Sequence, residues 1–387
     1  MSSVHSSNND FRKMITKMHE NRLCAPFVRV TRDELIINGV IIYGGSGWGI
    51  LIKNELSLHG IEALWMIDAD PKLEGQLVEG TVVRSPSSLH EAGESFVMLG
   101  STHIKEMSLE CEKCNVKKWI APASIRDWCP ITGDFGICMD GERNIDELVS
   151  THELLADEKS RDVFEAFIRW HYSYDNDFSK LCDVNAYFPS DLRSRIDYSV
   201  FIDAGAYTGD TLSDWIHFFD PHNKDCQYFA FEPNPISCVA IDDYVRTLPE
   251  AARRNIVVAN VALGIKDGFV EIGGWDGGSY TKDSTSGTPC KRIDDYFSTL
   301  FPTIIKADIE GAEMDLLRGA EQTIRRCRPT LAISLYHRYS DIWEIPSWIN
   351  GLSLDYDIYV RHHAERFTDS VCYAIPRNNS TIKELRQ

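Results

Sequence analysis

The sequence predicts an α/β protein with two Rossmann-like domains. This prediction follows from two glycine-rich turns, each between a strand-like and a helix-like segment, and from a length of 387 residues. A chain of this length exceeds the usual size of one hydrophobic core. Strands that alternate with helices favour a mostly parallel sheet with helices on both faces.

Four regions are predicted along the chain. They are an N-terminal arm over residues 1–30, a first Rossmann-like, nucleotide-binding domain over 31–144, a helical connector or cap over 145–195, and a second Rossmann-like domain over 196–387. Apolar residues at helical intervals between Ile145 and Tyr174 indicate the connector.

The first domain is predicted to contain a βαβ unit. A β-rich apolar run, "ELIINGVIIYG" (34–44), ends in glycines and is followed by helical spacing in "GILIKNELSLHG" (49–60). The run "ALWMIDADP" (63–71) is the next strand, and "SFVMLGS" (95–101) is a later one. Strand, glycine turn, helix and strand in this order are typical of a nucleotide-binding fold.

The second domain shows the same alternation, with a terminal hairpin. Its predicted strands are "YSVFIDAG" (198–205), "QYFAFEPNP" (227–235), "NIVVANVALG" (255–264), "TIIKADIEG" (303–311) and "TLAISLYH" (330–337), with helices at 210–219 and 312–327 and a polar loop at 273–290. The last two runs, 356–363 and 370–377, are predicted to close the sheet as an antiparallel hairpin.

Composition excludes some classes of partner. The formal net charge of −18 argues against nucleic acid, which requires clustered Lys and Arg. No signal peptide and no apolar run of about eighteen residues is found, so we expect a cytoplasmic protein without a membrane span. Eleven cysteines, an odd number, favour reduced thiols over a disulfide framework.

The second glycine turn, "FIDAGAYTGDT" (201–211), predicts an adenosine-type ligand. Gly205 and Gly209 allow close backbone approach at the end of a parallel strand, and Glu232 at the next strand tip is placed to accept ribose hydroxyls. Asp203 would repel a pyrophosphate but suits the cationic sulfonium and amino end of S-adenosylmethionine. A tight turn without a ligand is the alternative.

The runs "FIDAGAYTGDT", "FAFEPNP", "VANVALG", "IIKADIEGAEMDLLRGA" and "RPTLAISLYH" resemble the FkbM family of S-adenosylmethionine-dependent methyltransferases, from about Tyr187 to Ile375. The resemblance implies a class I methyltransferase fold and methyl transfer to oxygen, often on a sugar. It also implies cofactor-binding roles for a set of residues: Asp203, Gly205, Ala206, Tyr207 and Gly209 in the methionine-side turn, Glu232 and Pro233 at the ribose, Asn260 and Ala262 near the adenine, and Asp308.

The proton of the acceptor hydroxyl requires a base. His337 ends the fifth predicted strand and is the first candidate, because an unperturbed pKa of about 6.5 suits proton abstraction near neutrality. Asp308 is the second candidate. Glu313 is expected to neutralise a helix N-terminus or to bond backbone amides. For Glu310 the sequence does not decide between this structural role and a part in the reaction.

Two sets of residues have the side-chain types of a metal site. Asp308, Glu310 and His337 would suit Mg²⁺ or Mn²⁺ if the fold brings them together, and such an ion would lower the pKa of the acceptor hydroxyl. Cys111 and Cys114 form a C-x₂-C pair, and with Cys129 and Cys138 they could bind zinc. Their spacing favours buried, reduced thiols instead.

The first glycine turn, "YGGSGWG" (43–49), is a weaker ligand signal. In a dinucleotide fingerprint Gly44 and Gly49 would be the first and third glycines, and Ser46 replaces the second. Asp68 ends the next strand, where it could contact a ribose. The unit resembles the nucleotide-sugar-binding domain of bacterial sialic-acid and aminosugar acetyltransferases, which implies a nucleotide-linked sugar as its ligand; a scaffold without a ligand and an NAD site are the alternatives.

These observations together predict an S-adenosylmethionine-dependent O-methyltransferase that acts on a hydroxyl of a sugar, either a small molecule or a glycan, with an oligomer possible. One alternative is a nucleotide-sugar-binding or regulatory protein whose methyltransferase fold is inactive. The other is an NAD-dependent oxidoreductase that uses the first domain, although no Tyr-x-x-x-Lys or similar hydride-site set accompanies the first turn.

Overall fold

The computed structural model describes residues 10–18, 29–45, 47–101, 103–120, 134–136, 141–173, 177–219, 226–273, 280–297, 299–365 and 368–377. The chain divides into two compact units, one of residues 1–149 with 166–176 and one of residues 150–165 with 177–387. The sheets are mostly parallel and lie among helices, so the predicted α/β class is confirmed.

The first unit contains a six-stranded sheet in the order β4-β5-β3-β2-β6-β7. All neighbours are parallel except β4 and β5. After a helix α1 at residues 10–18, its elements are β1 Arg29–Thr31, α2 Arg32–Asn38, β2 Val40–Tyr43, α3 Gly47–Leu58, β3 Ala63–Ile67, β4 Leu77–Val78, β5 Thr81–Arg84, a 3₁₀ helix Pro86–Glu91, β6 Phe96–Leu99, α4 Ile104–Lys113, β7 Trp119–Ile120 and β8 Asp134–Gly136, which pairs with β1.

One strand prediction in this unit is wrong in part. Residues 34–38, predicted as strand, belong to α2. Leu35 is buried while Ile36 and Ile37 are exposed, which is not the alternation of a strand. Gly39 ends the helix with a φ of +80°, and its amide bonds the carbonyl of Leu35. Glycine is favoured at this position because it adopts the left-handed conformation without steric cost.

The second unit contains a seven-stranded sheet in the order β11-β10-β9-β16-β17-β19-β18. Two helices, α5 Gly141–Leu154 and α6 Glu158–Ser173, contain the divisions between the units. The other elements are a 3₁₀ helix Arg193–Arg195, β9 Val200–Ala204, α7 Asp210–Phe218, β10 Gln227–Phe231, α8 Pro235–Thr247, α9 Glu250–Arg253, β11 Ile256–Ala259, β12 Ala262–Leu263, β13 Gly268–Gly273, β14 Tyr280–Ser284, β15 Thr288–Lys291, α10 Ile293–Tyr296, β16 Ile304–Ala307, α11 Glu313–Gly319, α12 Glu321–Cys327, β17 Thr330–Ser334, α13 Asp341–Gly351, β18 Tyr356–His362 and β19 Ser370–Pro376.

The strand order creates one switch point in this sheet. From β9 the chain builds outward through β10 and β11, and it then returns to add β16 and β17 on the other side of β9. Only β19 is antiparallel to its neighbours β17 and β18, so the predicted terminal hairpin is confirmed. In open parallel sheets a ligand crevice forms where the order reverses, at the carboxyl ends of the strands. This point lies between β9 and β16.

The segment at 273–290, predicted as a polar loop, is partly strand. It contains β14 and the beginning of β15, which with β12 and β13 form a separate four-stranded sheet. Residues 274–279 lie outside the described residues. The side chains of this segment are mostly small and polar. Because they do not alternate between apolar and polar, the sequence gave no signal for these strands.

Candidate active site

The turn after β9 is closed by a backbone contact that requires glycine. Gly205 has a φ of +80°, and a Cβ atom there would lie 1.9 Å from the carbonyl oxygen of Asp308, directly after β16. The amides of Gly205 and Ala206 donate to the carbonyl of Phe231 at 2.9 and 3.1 Å. Gly209 also has a positive φ, +90°, but a Cβ atom there would meet nothing closer than 3.7 Å. The turn therefore joins the ends of β9, β10 and β16.

Glu232 directly follows β10, and two backbone amides fix its carboxylate. The Tyr207 amide donates to Oε2 at 2.9 Å and the Asn234 amide to Oε1 at 2.7 Å. Burial raises the pKa of Glu232, and the two amides oppose this effect. The side chain of Asn260 donates to the carbonyls of Glu232 and Pro233 at 3.0 and 2.9 Å, so Asn260 supports this turn.

Asp203 was expected to face a cationic ligand, but the structure buries it completely and pairs it with Lys306. Lys306 Nζ lies 2.8 Å from the carboxylate and donates to the carbonyl of Gly205 at 2.6 Å. The hydroxyl of Tyr228 donates to the other carboxylate oxygen. Burial would lower the pKa of Lys306, but the charge of Asp203 raises it. Because a buried carboxylate needs a cationic partner, Lys306 neutralises the charge that had been assigned to a sulfonium.

An open cavity lies at the carboxyl ends of β9, β10 and β16. The predicted cofactor residues on its wall are Gly205, Tyr207, Glu232, Pro233, Ala262 and Asp308. Residues without a predicted role also line it, including Tyr187, Asp210, Thr211, Val261, Leu263 and Lys306, and so does Glu310 of the predicted metal set. The fold therefore gathers most of the predicted set around one space. Asp203 instead lies buried within β9, and Ala206, Gly209 and Asn260 belong to the surrounding turns.

Asp308 presents an ionised carboxylate to this cavity. The Tyr187 hydroxyl donates to Oδ2 at 2.8 Å, and the Tyr336 hydroxyl donates to Oδ1 at 2.9 Å. Burial raises the pKa of Asp308, but the charges of Lys306 and His337 and the two tyrosine hydrogen bonds lower it below the usual value. The side chain is 28% exposed, so a ligand in the cavity can reach it.

His337 lies beyond the end of β17 among three carboxylates. Nδ1 is 2.8 Å from Glu313, and Nε2 is 3.5 Å from Asp308 and 3.7 Å from Glu310. Burial lowers the pKa of His337, but Glu313, Glu310 and Asp308 together raise it to about 10. The imidazole is then protonated near neutrality, so the argument for His337 as the base, which assumed an unperturbed pKa, does not apply to this arrangement.

The two glutamates after β16 differ in role. Glu313 is fully buried, and its Oε1 accepts the amide of Ile309 at 2.9 Å, as expected for a residue that bonds backbone amides. Glu310 has a positive φ, +58°, and lies on the cavity wall. Asp308 and Glu310 thus each lie within 4 Å of His337 Nε2, and a metal ion bound by these three residues stays a prediction.

Three residues of the site were not predicted to be functional. Lys306 could have been recognised as a charged residue inside an otherwise apolar central strand, which indicates a buried partner. Tyr187 and Tyr336 carry no such signal. Tyr187 reaches Asp308 from 121 positions away in the chain, and only the tertiary fold creates this contact.

In the first unit, the glycine turn also has a tight backbone contact. A Cβ atom on Gly49 would lie 1.7 Å from the carbonyl oxygen of Gly44, so helix α3 packs closely on β2. The carboxylate of Asp68 accepts the Gly45 amide at 2.7 Å. Ser46 lies outside the described residues. Gly44, Gly49 and Asp68 thus contact backbone atoms of other residues in the same unit. A nucleotide ligand for this unit stays a prediction.

The predicted zinc site is described only in part. Cys111 is buried and Cys114 is half-buried, and burial, with the neighbouring Cys114, raises the pKa of Cys111 to about 12. Cys129 and Cys138 lie outside the described residues.

Comparisons with known proteins identify the second unit. Residues 203–364 match the methyltransferase FkbM domain. These residues form a methyltransferase FkbM domain. The FkbM domain contains the Gly205 turn, Glu232, Asp308 and His337, and it lies within the span of the resemblance found in the sequence. The match supports a methyltransferase.

A crystal structure of a methyltransferase FkbM from Methylobacillus flagellatus KT is similar over the whole chain. The TM-score is 0.63 at 21% sequence identity, with 96% of this chain and 99% of that chain covered. At this identity the likeness shows the shared fold. No curated protein sequence matches this chain.

Two further structures match parts of the chain. A UDP-D-quinovosamine 4-dehydrogenase from Vibrio fischeri has a TM-score of 0.21 at 22% identity, over 26% of this chain and 93% of its own. An rRNA methylase from Streptococcus thermophilus has a TM-score of 0.30 at 12% identity, over 48% of this chain and 93% of its own. TM-scores this low carry no functional argument. In the described parts of the chain, no helix is both long and apolar enough to cross a bilayer.

Proposed function

We propose that this chain is an S-adenosylmethionine-dependent O-methyltransferase that methylates a hydroxyl of a sugar. The observation that carries the proposal is the ionised, oriented carboxylate of Asp308 on the wall of the cavity at the switch point of the sheet. Methyl transfer to oxygen requires alignment of the acceptor hydroxyl and one acceptor for its proton. In this proposal the carboxylate of Asp308 supplies that acceptor.

The cavity fits an adenosine-type cofactor. Glu232 is 6% exposed and stands on the wall. Each of its oxygens accepts one amide and keeps a second lone pair, so the carboxylate can still accept ribose hydroxyls. Val261, Ala262 and Leu263 supply an apolar wall for an adenine ring. The turn from Gly205 to Asp210 would hold the methionine end. S-adenosylmethionine, when bound, supplies the methyl group from a cationic sulfur.

The acceptor proton is assigned to Asp308. The carboxylate is ionised at neutral pH. The hydroxyls of Tyr187 and Tyr336 each donate a hydrogen bond to one of its two oxygens. A second lone pair on each oxygen stays open to a hydroxyl in the cavity. His337, protonated among its carboxylates, limits the build-up of negative charge around Asp308. In this proposal His337 acts through Asp308 and does not accept the proton.

A sugar acceptor is supported by the polar character of the wall. Asp210, Asp308 and Glu310 offer carboxylate oxygens, which accept hydrogen bonds from neighbouring hydroxyls. The partly exposed ring of Tyr207, 42% exposed at the cavity, adds a flat apolar surface on which a sugar face can pack. Resemblance to the FkbM family favours the same acceptor class.

Mass spectrometry of an acceptor panel tests the proposal. The full chain is incubated with S-adenosylmethionine and a panel of nucleotide-linked sugars, free sugars and oligosaccharides. We expect a mass gain of one CH₂ on one class and none with the Asp308→Asn variant. Methylation of a nitrogen or carbon acceptor instead, or full activity of Asp308→Asn, would contradict the proposed reaction.

A nucleotide-linked ligand for the first unit is a second, separate proposal. It is supported by the glycine turn after β2 and by Asp68 directly after β3, the positions used for a nucleotide in Rossmann-like folds. Calorimetry with UDP, a UDP-sugar and NAD tests it. Heat of binding with UDP or the UDP-sugar, reduced in the Asp68→Asn variant, is the expected result. No heat with any of the three would leave a supporting scaffold.

A further inference from the structure

The cluster beside the cavity combines one histidine with three carboxylates. Asp308 and Glu310 follow β16, Glu313 begins α11 and His337 follows β17. The nearby cation Lys306 is paired with Asp203 at 2.8 Å. The cluster therefore places three carboxylates and one imidazole together beside the cavity.

The two ring nitrogens of His337 have different surroundings. Nδ1 lies 2.8 Å from Glu313 Oε1, which is the contact by which a carboxylate orients a metal-binding histidine. Nε2 is buried, in a side chain only 6% exposed, and makes no hydrogen bond with any residue that the structure describes. It points towards Asp308 Oδ1 and Glu310 Oε2. Because Nδ1 donates to Glu313, a cation that replaces the proton on Nε2 meets a lone pair of this nitrogen and the oxygens of two carboxylates.

We infer that His337 Nε2, Asp308 and Glu310 bind one divalent cation, with Glu313 orienting the histidine. Two ligand atoms about 2.1 Å from an ion lie about 3.0 Å apart at a right angle and about 3.4 Å apart at the tetrahedral angle. The observed distances from Nε2 to the carboxylate oxygens are 3.5 and 3.7 Å. Nε2 is therefore within a few tenths of an ångström of ligand spacing from each of the two carboxylates.

The ligand types indicate the class of ion. An imidazole with two carboxylates suits Mn²⁺ or a similar first-row ion better than Ca²⁺, which takes oxygen ligands only. Three protein ligands would leave coordination positions open towards the cavity wall, to which Asp308 and Glu310 belong.

Glu313 is placed outside the ligand set because one of its oxygens orients His337, although its other oxygen, Oε2, is buried and has no hydrogen-bond partner among the described residues. Its Oε1 already accepts both His337 Nδ1 and the Ile309 amide. Glu313, Asp308 and His337 nevertheless offer ligand atoms within 4.8 Å of one another. The experiment therefore has to distinguish Glu310 from Glu313 as the second carboxylate ligand.

A cation in this position would act on the acceptor. It lowers the pKa of a hydroxyl that contacts it, so the proton is more easily released to Asp308 or to solvent. This role rests on the proposed O-methylation, whereas binding of the cation does not.

Electron paramagnetic resonance of Mn²⁺ tests the inference on the full chain after chelator treatment. We expect loss of the free Mn²⁺ signal at one equivalent per chain and a weakening of at least about tenfold in Glu310→Gln. Glu313→Gln keeps an oxygen acceptor for Nδ1, so a smaller effect is expected. Asp315→Asn, a half-exposed carboxylate on the same helix as Glu313, is the matched control and should bind Mn²⁺ like the unchanged chain.

The outcomes separate this inference from the proposed function. Calorimetric titration of the same samples with S-adenosylmethionine measures the cofactor site without any metal. Cofactor binding without Mn²⁺ binding would overturn the cation site and leave the methyltransferase proposal intact; Mn²⁺ binding without cofactor binding would do the reverse. Unchanged Mn²⁺ affinity in Glu310→Gln, or a larger loss in Glu313→Gln than in Glu310→Gln, would overturn the ligand set.

Discussion

The two glycine turns of this protein have the same backbone construction. In the first unit, a Cβ atom on Gly44 would lie 2.2 Å from the carbonyl oxygen of Gly100; in the second, a Cβ atom on Gly205 would lie 1.9 Å from that of Asp308. Gly100 directly follows β6 and Asp308 directly follows β16, and each of these strands is the parallel neighbour of the strand that enters the turn. Close contact of two strand ends explains the glycines in both units.

The acidic residue after the second strand of each unit is also used in the same way. Asp68 accepts the amide of Gly45 at 2.7 Å and the amide two residues after itself at 2.8 Å. Glu232 accepts the amide of Tyr207 at 2.9 Å and, likewise, the amide two residues after itself at 2.7 Å. A glycine turn with an acidic partner is therefore a structural device that fixes the turn, whether or not a ligand binds there.

The two units differ in the residue that directly follows the parallel neighbour of the strand entering the turn. Gly100 has no side chain at that position, whereas Asp308 places a carboxylate on the cavity wall and gathers Tyr187, Tyr336 and His337 around it. The glycine turn therefore fixes the backbone around a possible ligand site, and the residue after the neighbouring strand determines whether a reactive carboxylate lines that site. The predictions below test this division, starting with the largest expected effect.

Removing the charge of Asp308 should have the largest effect on the reaction. We expect Asp308→Asn to lower kcat by about 10² to 10⁴-fold, the range for loss of a general base. Affinity for S-adenosylmethionine, measured by calorimetry, should change far less. Asp315→Asn is the control and should keep kcat. An equal fall in both variants would show that the effect is not specific to the cavity.

Adding a methyl group at Gly205 should disturb both the turn and the reaction. In Gly205→Ala the new Cβ must displace the Asp308 carbonyl, and a shift of about 1 Å at a catalytic group can cost about 10²-fold in rate. Gly209→Ala has a similar φ but open space, so it should cost only the 1–2 kcal/mol or so of the left-handed conformation. Urea denaturation and kcat measure the two effects. Equal kcat in the two variants would contradict the proposed role of the contact with Asp308.

The acidic residues of the two turns should differ in their effect on the cofactor. Glu232→Gln should weaken S-adenosylmethionine binding by about tenfold or more, because hydrogen bonds to a charged group contribute about 1.5–3 kcal/mol. Asp68→Asn should leave that affinity unchanged. Calorimetry on both variants measures this contrast. Full affinity in Glu232→Gln would mean that the carboxylate only fixes its turn, as Asp68 does.

The pH profile should be nearly flat, which is the smallest expected effect. The pKa of Asp308 lies below its usual value and that of His337 is raised to about 10, so neither group changes its charge between about pH 6 and pH 9. We expect kcat to vary less than about threefold over that range. If neutral His337 were the base, kcat would rise about tenfold per pH unit up to its pKa. Cofactor affinity measured at each pH is the control.

Much of the fold follows from the local pattern of residues. Alternation of strand-like and helical runs predicted the α/β class, and the two runs after residue 355 predicted the antiparallel hairpin, because such patterns depend on neighbours in the chain. The segments at 34–38 and 273–290 were mispredicted. In the first, "ELIIN" has apolar residues that suit either a strand or a helix, and burial of Leu35 alone decides between them.

The sequence by itself indicated the methyltransferase FkbM domain, the glycines of both turns and the carboxylates at the strand tips, since these signals lie within short runs of the chain. Only the tertiary structure decided what the carboxylates touch. It turned Asp203 inward to Lys306, brought Tyr187 to Asp308, and placed His337 among three carboxylates. The charge state of a buried group depends on burial and on partners distant in the chain, and no local pattern records them.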